Sequence, residues 1–355
     1  MDNCKELGDK IDQNIMQRRS KKDSFIIPTN LVRFNNGEGK AVIEDSVRDK
    51  DLYIISDIGN HSMTYKMYGY INHMGPDEHF MDIKRVISAV RGQADRVTVV
   101  MPLLYESRQH RRKGRESLDC ALALQELQNL GVSTIVTFDV HDPNIQNAVP
   151  TSMSFENFYP TNTILKEFIK NEEFDPETVK FISPDTGAMD RAKYYANMFQ
   201  ADVGMFHKRR DYSKIVDGKN PIVAHNYLGG NLEGETAIVV DDMIASGTSM
   251  LEVAVDLKKR GARKVFLIST FSMFTNGLEC FNKAFEEGLF EKLYSTNLTY
   301  VDKDALTKPW YEQIDCSNYA SDIINTLNTS GSILELKNGK QKILTMLENK
   351  KNGEL

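Results

Sequence analysis

Two adjacent acids, Asp241 and Asp242, end an apolar segment that begins at Thr236, and a turn of small residues follows them. This order predicts a strand, a turn and the start of a helix. Backbone N–H groups at a helix start, together with hydroxyl side chains, bind anions, and the helix dipole adds to that attraction. The segment therefore predicts a phosphate-binding turn. Its residues are Ala245, Ser246, Gly247, Thr248 and Ser249.

The two acids before this turn have two candidate ligands. Asp241 and Asp242 can accept hydrogen bonds from ribose hydroxyls, or they can reach a Mg²⁺ ion shared with a diphosphate, because hard oxygen ligands suit that ion. The alternative is a purely structural helix cap after an acidic strand end. Paired acids directly before a turn rich in serine, glycine and threonine favour the ligand site.

Charge and composition narrow the class of partner. The chain has 355 residues, with 44 Lys and Arg against 50 Asp and Glu and a formal net charge of −6, so no overall positive charge attracts a nucleic acid. No apolar segment approaches the roughly 20 residues that cross a bilayer, which predicts no membrane span. The four cysteines are scattered and the N-terminal segment is polar, which together predict a cytoplasmic protein with reduced thiols.

Short apolar and β-branched segments alternate with longer segments of helical period, which is typical of an α/β fold with a parallel sheet. The predicted strands are residues 52–56, 97–104, 133–138, 179–182, 236–240 and 264–269. The predicted helices are residues 81–91, 117–130, 188–199 and 249–260. Gly131 and Gly261 follow two of these helices, as expected for glycines that end a helix before a strand.

The alternation occurs in two halves, separated by a turn-rich stretch from residue 141 to residue 160. We therefore predict two similar, doubly wound domains with mainly parallel sheets, residues 1–155 and 156–330, and a polar C-terminal tail, residues 331–355. The tail is predicted to be a surface helix or a frayed end. Residues 61–78 and 211–230 are predicted to be long loops, either lids or surface excursions.

Six motifs occur in the order and approximate spacing of the ribose-phosphate diphosphokinases, a family of the phosphoribosyltransferase superfamily. The segment VDDMIASGTS at 240–249 resembles the superfamily's phosphoribosyl-diphosphate motif. The other five are RFNNGE at 33–38, MPLLYESRQHRR at 101–112, FDVH at 138–141, SPDTG at 183–187 and KRR at 208–210. The resemblance covers residues 30 to 325 approximately.

The resemblance implies two phosphoribosyltransferase-type domains and a specific reaction. Enzymes of this family transfer the diphosphoryl group of ATP to the anomeric hydroxyl of ribose 5-phosphate, giving AMP and phosphoribosyl diphosphate, with Mg²⁺ as cofactor. In such a reaction the protein mainly aligns its substrates and neutralises the charge of the phosphates. Similar enzymes form dimers that assemble into hexamers, so the resemblance also implies a homo-oligomer.

The resemblance further implies roles for individual residues. Lys208 and Arg210 would stabilise the charge on the transferring phosphates, and His141 and Asp185 would bind the metal. The implied ATP-binding residues are Phe34, Asn36, Glu38, Arg108, Gln109, Arg111 and His141. The implied ribose 5-phosphate-binding residues are Asp241, Asp242, Ala245, Ser246, Gly247, Thr248 and Ser249.

Without the resemblance, several of these motifs have structural interpretations. FNNGE is typical of a turn between two strands, KRR of a solvated basic turn, and the basic run at 108–115 of a solvated face. His141 would be a hydrogen-bonded structural residue near a strand end, and Asp185 a helix cap. The order of six motifs favours the functional interpretation.

Three residues depart from the family's pattern. Asn36 and His110 stand where the family has acids, and Ala245 replaces an aspartate whose hydrogen bonds a methyl group cannot make. Residues 61–78 also exceed the family's corresponding connection in length. These departures leave open the alternative of a non-catalytic regulatory subunit. A phosphoribosyltransferase that consumes phosphoribosyl diphosphate is another alternative, because the same loop at 240–249 would serve it.

Overall fold

The structure is a computed structural model that describes residues 1–210, 222–337 and 339–354, without the side chains of residues 208–210, 222–225, 335 and 337. The helices are α1 Lys5–Arg18, α2 Pro76–Val90, α3 Asp119–Asn129, α4 Thr161–Asn171, α5 Met189–Phe199, α6 Thr248–Lys259, α7 Glu279–Glu286, α8 Ser317–Asn328, α9 Leu334–Lys337 and α10 Lys340–Lys351. The strands are β1 Thr29–Arg33, β2 Gly39–Ile43, β3 Asp51–Ile55, β4 Thr64–Met67, β5 Tyr70–His73, β6 Arg96–Val100, β7 Thr134–Phe138, β8 Ser154–Phe158, β9 Val179–Ser183, β10 Asp202–Arg210, β11 Ile222–Leu228, β12 Thr236–Ile244, β13 Lys264–Ser272, β14 Lys292–Thr296 and β15 Tyr311–Ile314.

The chain forms two compact units whose segments interleave along the sequence. Unit 1 consists of Met1–Pro160, Asn297–Asp302 and Asp315–Lys337, and unit 2 of Thr161–Thr296, Lys303–Ile314 and Asn338–Leu355. The predicted domains, residues 1–155 and 156–330 with a tail at 331–355, remain a prediction.

Unit 1 contains a four-stranded parallel sheet in the order β3-β6-β7-β8. Its inner strands β6 and β7 carry fully buried Val99 and Ile135, because a parallel sheet covered on both faces selects apolar strands. Two antiparallel hairpins, β1–β2 and β4–β5, complete the unit's strands among the described residues. Helix α1 packs on α8 in the same unit.

Unit 2 contains a seven-stranded sheet in the order β11-β10-β9-β12-β13-β14-β15. The strands are parallel except β11, which pairs antiparallel with β10. The chain moves from β9 to β10 on one side and from β12 to β13 on the other, so the strand order reverses between β9 and β12. In open α/β sheets, ligands bind beyond the carboxyl ends of the strands at such a reversal.

The predicted α/β class with parallel sheets is confirmed, and each predicted strand and helix corresponds to an observed element. Gly131 and Gly261 have positive φ values of 89° and 88°, as expected for glycines that end helices. None of the helices in the described ranges combines the length and the apolar character that a bilayer span requires.

The predicted loop at 61–78 is wrong, because this segment forms the β4–β5 hairpin and the start of α2. The other predicted loop lies in part outside the described residues, at 211–221, and ends in β11. The polar tail includes α10, which packs on α4 and buries Ile343 and Leu347. The packing of α10 on α4 was not predicted, because two apolar residues in a charged helix form too weak a pattern.

Asp57 is a buried acid two residues after the end of β3, and it is only 3% exposed. Its carboxylate accepts hydrogen bonds from the Gly59 N–H at 3.0 Å, the Thr299 hydroxyl at 2.9 Å and the Tyr300 N–H at 2.6 Å. Burial raises the pKa of Asp57 to about 6, although these three donors oppose the rise. The native state therefore holds a proton on this acid that the unfolded chain loses near pH 4.

We expect the stability advantage of the wild type over Asp57→Asn to shrink as the pH rises. Between about pH 4 and pH 6 the native state binds more protons at Asp57 than the unfolded state does, so the contribution of this group falls with rising pH and is constant above about pH 6. The pKa shift of Asp57 corresponds to a change of roughly 3 kcal/mol in the free energy of unfolding. Urea unfolding of the wild type and Asp57→Asn between about pH 4 and pH 6 measures the difference in their free energies of unfolding. A difference that does not change with pH would contradict this expectation.

Candidate active site

An acidic pair lies near the carboxyl end of β12, at the reversal of strand order in unit 2. The Asp241 carboxylate accepts a hydrogen bond from the Asp242 N–H at 2.9 Å. A guanidinium nitrogen of Arg191, on α5, lies 3.8 Å from a carboxylate oxygen of each acid. Asp242 is 2% exposed, so this group of charges is largely shielded from water.

Burial raises the pKa of Asp241 well above its usual range, and the negative charges of Asp242 and Asp185 add to the rise. The guanidinium of Arg191 opposes it. Among the ion pairs of the described residues, Arg191 is the cation that lies beside both Asp241 and Asp242. A ligand that brings a cation or hydroxyl donors would favour the ionised pair, as either candidate ligand would.

The turn after β12 leads directly into α6, as the sequence predicts. Gly247 lies at the helix start with a φ of 84°, and its carbonyl accepts hydrogen bonds from Met250 and Leu251 at 3.1 and 3.0 Å. The hydroxyls of Ser246 and Thr248 are 3.2 Å apart. The first N–H groups of a helix have no acceptor within the helix. They and the two hydroxyls can therefore receive a phosphate.

Ala245 holds this turn through its backbone. Its carbonyl accepts a hydrogen bond from the Thr275 N–H at 2.9 Å, and the Ile244 carbonyl accepts one from the Met273 N–H at 2.8 Å. The backbone is thus anchored on both sides of the position where the family has an aspartate. The departure at Ala245 removes a side-chain acceptor, while these backbone contacts remain.

Asp185 follows β9, the strand beside β12. Its carboxylate accepts hydrogen bonds from the N–H groups of Gly187 at 2.8 Å and Ala188 at 3.2 Å, just before α5. Both donors precede α5, whose N-cap residue Ala188 has no side-chain cap, so this contact closes a turn ahead of the helix. Its negative charge also acts on Asp241, so it shares the carboxyl edge of the sheet with the acidic pair. One carboxylate can make both kinds of interaction.

In unit 1, the basic segment after β6 surrounds an open cavity of about 620 Å³. The lining residues are Glu106, Arg108, Gln109, Arg111, Lys113, Glu116, Ser117 and Asp119. Within the described part of the chain, the guanidinium groups of Arg108 and Arg111 form no ion pair. Two exposed guanidinium groups beside a cavity are suited to a polyphosphate.

His141 follows β7, the strand next to β6, and its ring centroid lies 5.4 Å from that of His110. The Nε2 atom of His110 is 3.1 Å from a carboxylate oxygen of Asp142. The buried Nδ1 atom of His110 has no hydrogen-bond partner among the described residues. The histidine that replaces a family acid is therefore tied to the neighbouring acid Asp142.

The FNNGE motif forms the turn of the β1–β2 hairpin. Phe34 is 46% exposed, and the Asn36 amide donates a hydrogen bond to the Glu38 carboxylate at 2.8 Å. An aspartate at 36 would repel Glu38 where asparagine binds it, so this departure stabilises the turn and removes one negative charge. Among the described residues, no hydrogen bond or ion pair links the turn to the cavity.

The structure brings the predicted residues together in three groups. Arg108, Gln109 and Arg111 surround the cavity, with His141 following the adjacent strand, and the FNNGE turn is separate in the same unit. Asp185 and residues 241–249 share one sheet edge in unit 2. The side chains of Lys208 and Arg210 lie outside the described residues.

Arg191 is a site residue that sequence reasoning missed. It contacts both acids, yet it occurs within a predicted helix, where a single basic residue is usually solvated. The available signal was its position six residues after Asp185, at the start of α5, which faces the same sheet edge. Without a structure, the position of an arginine within a helix rarely shows which residues it contacts.

Comparison with known proteins gives a consistent result for both parts of the chain. Residues 1–131 match the family model for the N-terminal domain of ribose phosphate pyrophosphokinase, and residues 161–274 match that for the phosphoribosyl transferase domain. Ribose-phosphate pyrophosphokinase A of Dictyostelium discoideum is 26% identical over 306 residues, covering 86% of this chain and 88% of that protein. Ribose-phosphate pyrophosphokinase 2 of Schizosaccharomyces pombe is 28% identical over 306 residues, covering 85% and 87%.

A solved structure has the same fold. The crystal structure of phosphoribosylpyrophosphate synthetase from Mycobacterium smegmatis superimposes with a TM-score of 0.74 at 19% sequence identity. The match covers 91% of this chain and 97% of that chain, so it includes both units.

Proposed function

The chain belongs to the ribose-phosphate pyrophosphokinase family, and we propose that it transfers the diphosphoryl group of MgATP to the C1 hydroxyl of ribose 5-phosphate. The products are phosphoribosyl diphosphate and AMP. The observation that carries the proposal is the turn at 245–249, where an acidic strand end leads into a hydroxyl-lined helix start at a strand-order reversal.

The donor residues belong to unit 1. We propose that Arg108 and Arg111 bind the phosphates of ATP, with Gln109 beside them and His141 at the end of the next strand. Within the described residues these two guanidinium groups form no ion pair, which supports this role, because a planar guanidinium binds phosphate oxygens through two parallel hydrogen bonds. The exposed ring of Phe34 would stack on adenine, with Asn36 and Glu38 as hydrogen-bonding groups.

The acceptor residues belong to unit 2. The 5-phosphate would bind the N–H groups and hydroxyls of Ser246, Gly247, Thr248 and Ser249, while Asp241 and Asp242 accept hydrogen bonds from the ribose hydroxyls. This arrangement fixes the sugar at both ends, which aligns its C1 hydroxyl for attack on the β-phosphorus of ATP. Breaking the bond between the α- and β-phosphates then releases AMP.

The donor set is suited to Mg²⁺. Asp185, Asp241 and Asp242 are carboxylates at one sheet edge, the hard oxygen ligands that this ion prefers. Within residues 1–210, 222–337 and 339–354, no three His, Cys, Asp or Glu side chains are already arranged as a metal centre. His141 in unit 1 and Asp185 in unit 2 would each supply one ligand to a Mg²⁺ ion that substrate phosphates also bind. Bound Mg²⁺ supplies charge neutralisation on the phosphates.

The most direct test measures AMP release with and without ribose 5-phosphate. We expect the full-length protein to release AMP from MgATP only when ribose 5-phosphate is present, with phosphoribosyl diphosphate formed in equal amount. No release from folded protein would contradict the proposal and favour the regulatory subunit. Consumption of phosphoribosyl diphosphate with a purine or pyrimidine base would instead indicate a phosphoribosyltransferase.

We also propose a cytoplasmic homo-oligomer built from dimers, up to a hexamer. The four cysteines are free, three of them buried, which agrees with a reducing compartment.

Large apolar side chains remain exposed on unit 1, among them Phe25 at 46%, Ile26 at 49% and Leu122 at 56%, and subunit contacts would cover such groups. Light scattering of the purified protein measures the assembly, and a monomeric mass would contradict it.

A further inference from the structure

One face of the β4–β5 hairpin is covered in part and the other is bare. On the partly covered face, Tyr70 lies opposite Met67 and is 75% exposed. Along β4, Tyr65 and Met67 are half-buried while Lys66 is exposed, the alternation of a strand covered on one side. Ile71 pairs with Lys66 across the hairpin and is 68% exposed, so it belongs to the bare face. The partly covered face must therefore have a neighbour.

That neighbour is the FNNGE turn of the β1–β2 hairpin. The Tyr68 N–H donates a hydrogen bond to the Asn35 carbonyl at 2.9 Å. A Cβ atom built on Gly37 would lie 2.6 Å from the Sδ atom of Met67, so the thioether packs directly over this glycine. Gly37 has a φ of 91°, which already makes any other residue costly there.

The base of the turn is held to the same elements. Arg33 forms two hydrogen bonds with the Asp82 carboxylate on α2, at 2.7 and 2.8 Å, and the Asp82 side chain is 3% exposed. The Arg33 guanidinium also lies 5.7 Å from the centroid of the Tyr65 ring. The turn is thus supported at its tip by β4–β5 and at its base by α2 and Tyr65.

The turn's own side chains provide little further support. Asn36 and Glu38 bond to each other and are exposed, as is Phe34. Their placement therefore depends mainly on the backbone of the turn. Among the described residues, the contacts from outside the turn come from Met67 and Tyr68 and from the Lys40 ammonium, 5.9 Å from the centroid of the Phe34 ring. Loss of these contacts would leave an exposed turn free to change shape.

We propose that the β4–β5 hairpin is a positioning element for the nucleotide, and that Met67 is the residue that holds the FNNGE turn in its binding shape. The proposal rests on the ATP-binding role proposed above for Phe34, Asn36 and Glu38. Met67 acts through the turn and does not touch the nucleotide. The β4–β5 hairpin thus has a function in donor binding.

Steady-state kinetics of Met67→Ala tests this proposal. We expect the KM for MgATP to rise about tenfold, because a small misplacement of binding groups has large effects, while kcat and the KM for ribose 5-phosphate stay within about twofold. Met67→Leu conserves volume and should restore the wild-type KM. Ile71→Ala, on the bare face of the same hairpin, is the matched control and should leave all three constants unchanged.

Calorimetric titration with a non-hydrolysable ATP analogue provides a second measurement. We expect Met67→Ala to weaken analogue binding about tenfold and Ile71→Ala to leave it unchanged. Equal analogue affinity in the two variants would overturn the proposal, as would a loss of kcat in Met67→Ala with unchanged KM for MgATP. Absence of AMP release from the wild type would contradict the proposed reaction alone, because the titration still tests the hairpin.

Discussion

Replacing Lys208 with alanine should reduce kcat about a thousandfold, while the KM values for MgATP and ribose 5-phosphate change less than about threefold. The charge on the transferring phosphates grows as the bond between the α- and β-phosphates lengthens, so a cation placed there acts mainly on the transition state. Lys208 lies in β10, which pairs with β11 in an antiparallel hairpin. Rapid-quench measurement of a single turnover separates this step from product release.

Arg209→Ala is the matched control for Lys208, because it removes one positive charge from the adjacent position of the same strand. If general basicity of the KRR motif matters, both variants will lose activity equally. If Lys208 has the proposed role, Arg209→Ala retains kcat within about threefold. Full turnover by Lys208→Ala with both substrates would show that the assigned role is wrong.

The sequence predicted the central strands because their burial is nearly complete. Parallel strands covered on both faces need continuous apolar residues, and the segment at 236–240 has that pattern. The β4–β5 hairpin escaped prediction because only one of its faces is covered, and Tyr65 and Met67 gain their partners from a distant part of the chain. Its turn at Tyr68 and Gly69 also lacks the usual Asn-Gly pair.

The candidate site could be predicted where its polar side chains and the backbone of the turn lie in one continuous segment of the chain. The acids, hydroxyls and glycine of residues 241–249 follow one another along the chain, so their spacing alone indicates a phosphate site. Arg191 and Met67 were not predictable, because each acts on a segment that is distant in sequence. These contacts become visible only in the fold, where β9 lies beside β12 in one sheet and the two hairpins of unit 1 meet at Gly37.

Replacing Gly247 with alanine should reduce kcat/KM for ribose 5-phosphate about a hundredfold, mainly through a higher KM, with a nearly unchanged KM for MgATP. Gly247 has a φ of 84°, which an alanine adopts only at a cost of about 1 kcal/mol. A Cβ atom on Gly247 would also collide with the ring of Phe281. The first turn of α6 would have to move, and its N–H groups would leave the phosphate.

Gly234→Ala separates backbone strain from this displacement. Gly234 has a similar φ of 75°, lies before β12 in the same unit, and has open space around the position of a new Cβ atom. Both variants should lose stability from backbone strain, and Gly247→Ala should lose more because of the collision with Phe281, as thermal unfolding measures. Only Gly247→Ala should lose affinity for the sugar phosphate. Because the ring of Phe281 causes the displacement, adding Phe281→Leu to Gly247→Ala should recover part of the lost affinity. Equal KM values for ribose 5-phosphate in the two glycine variants would mean that the turn does not bind the phosphate.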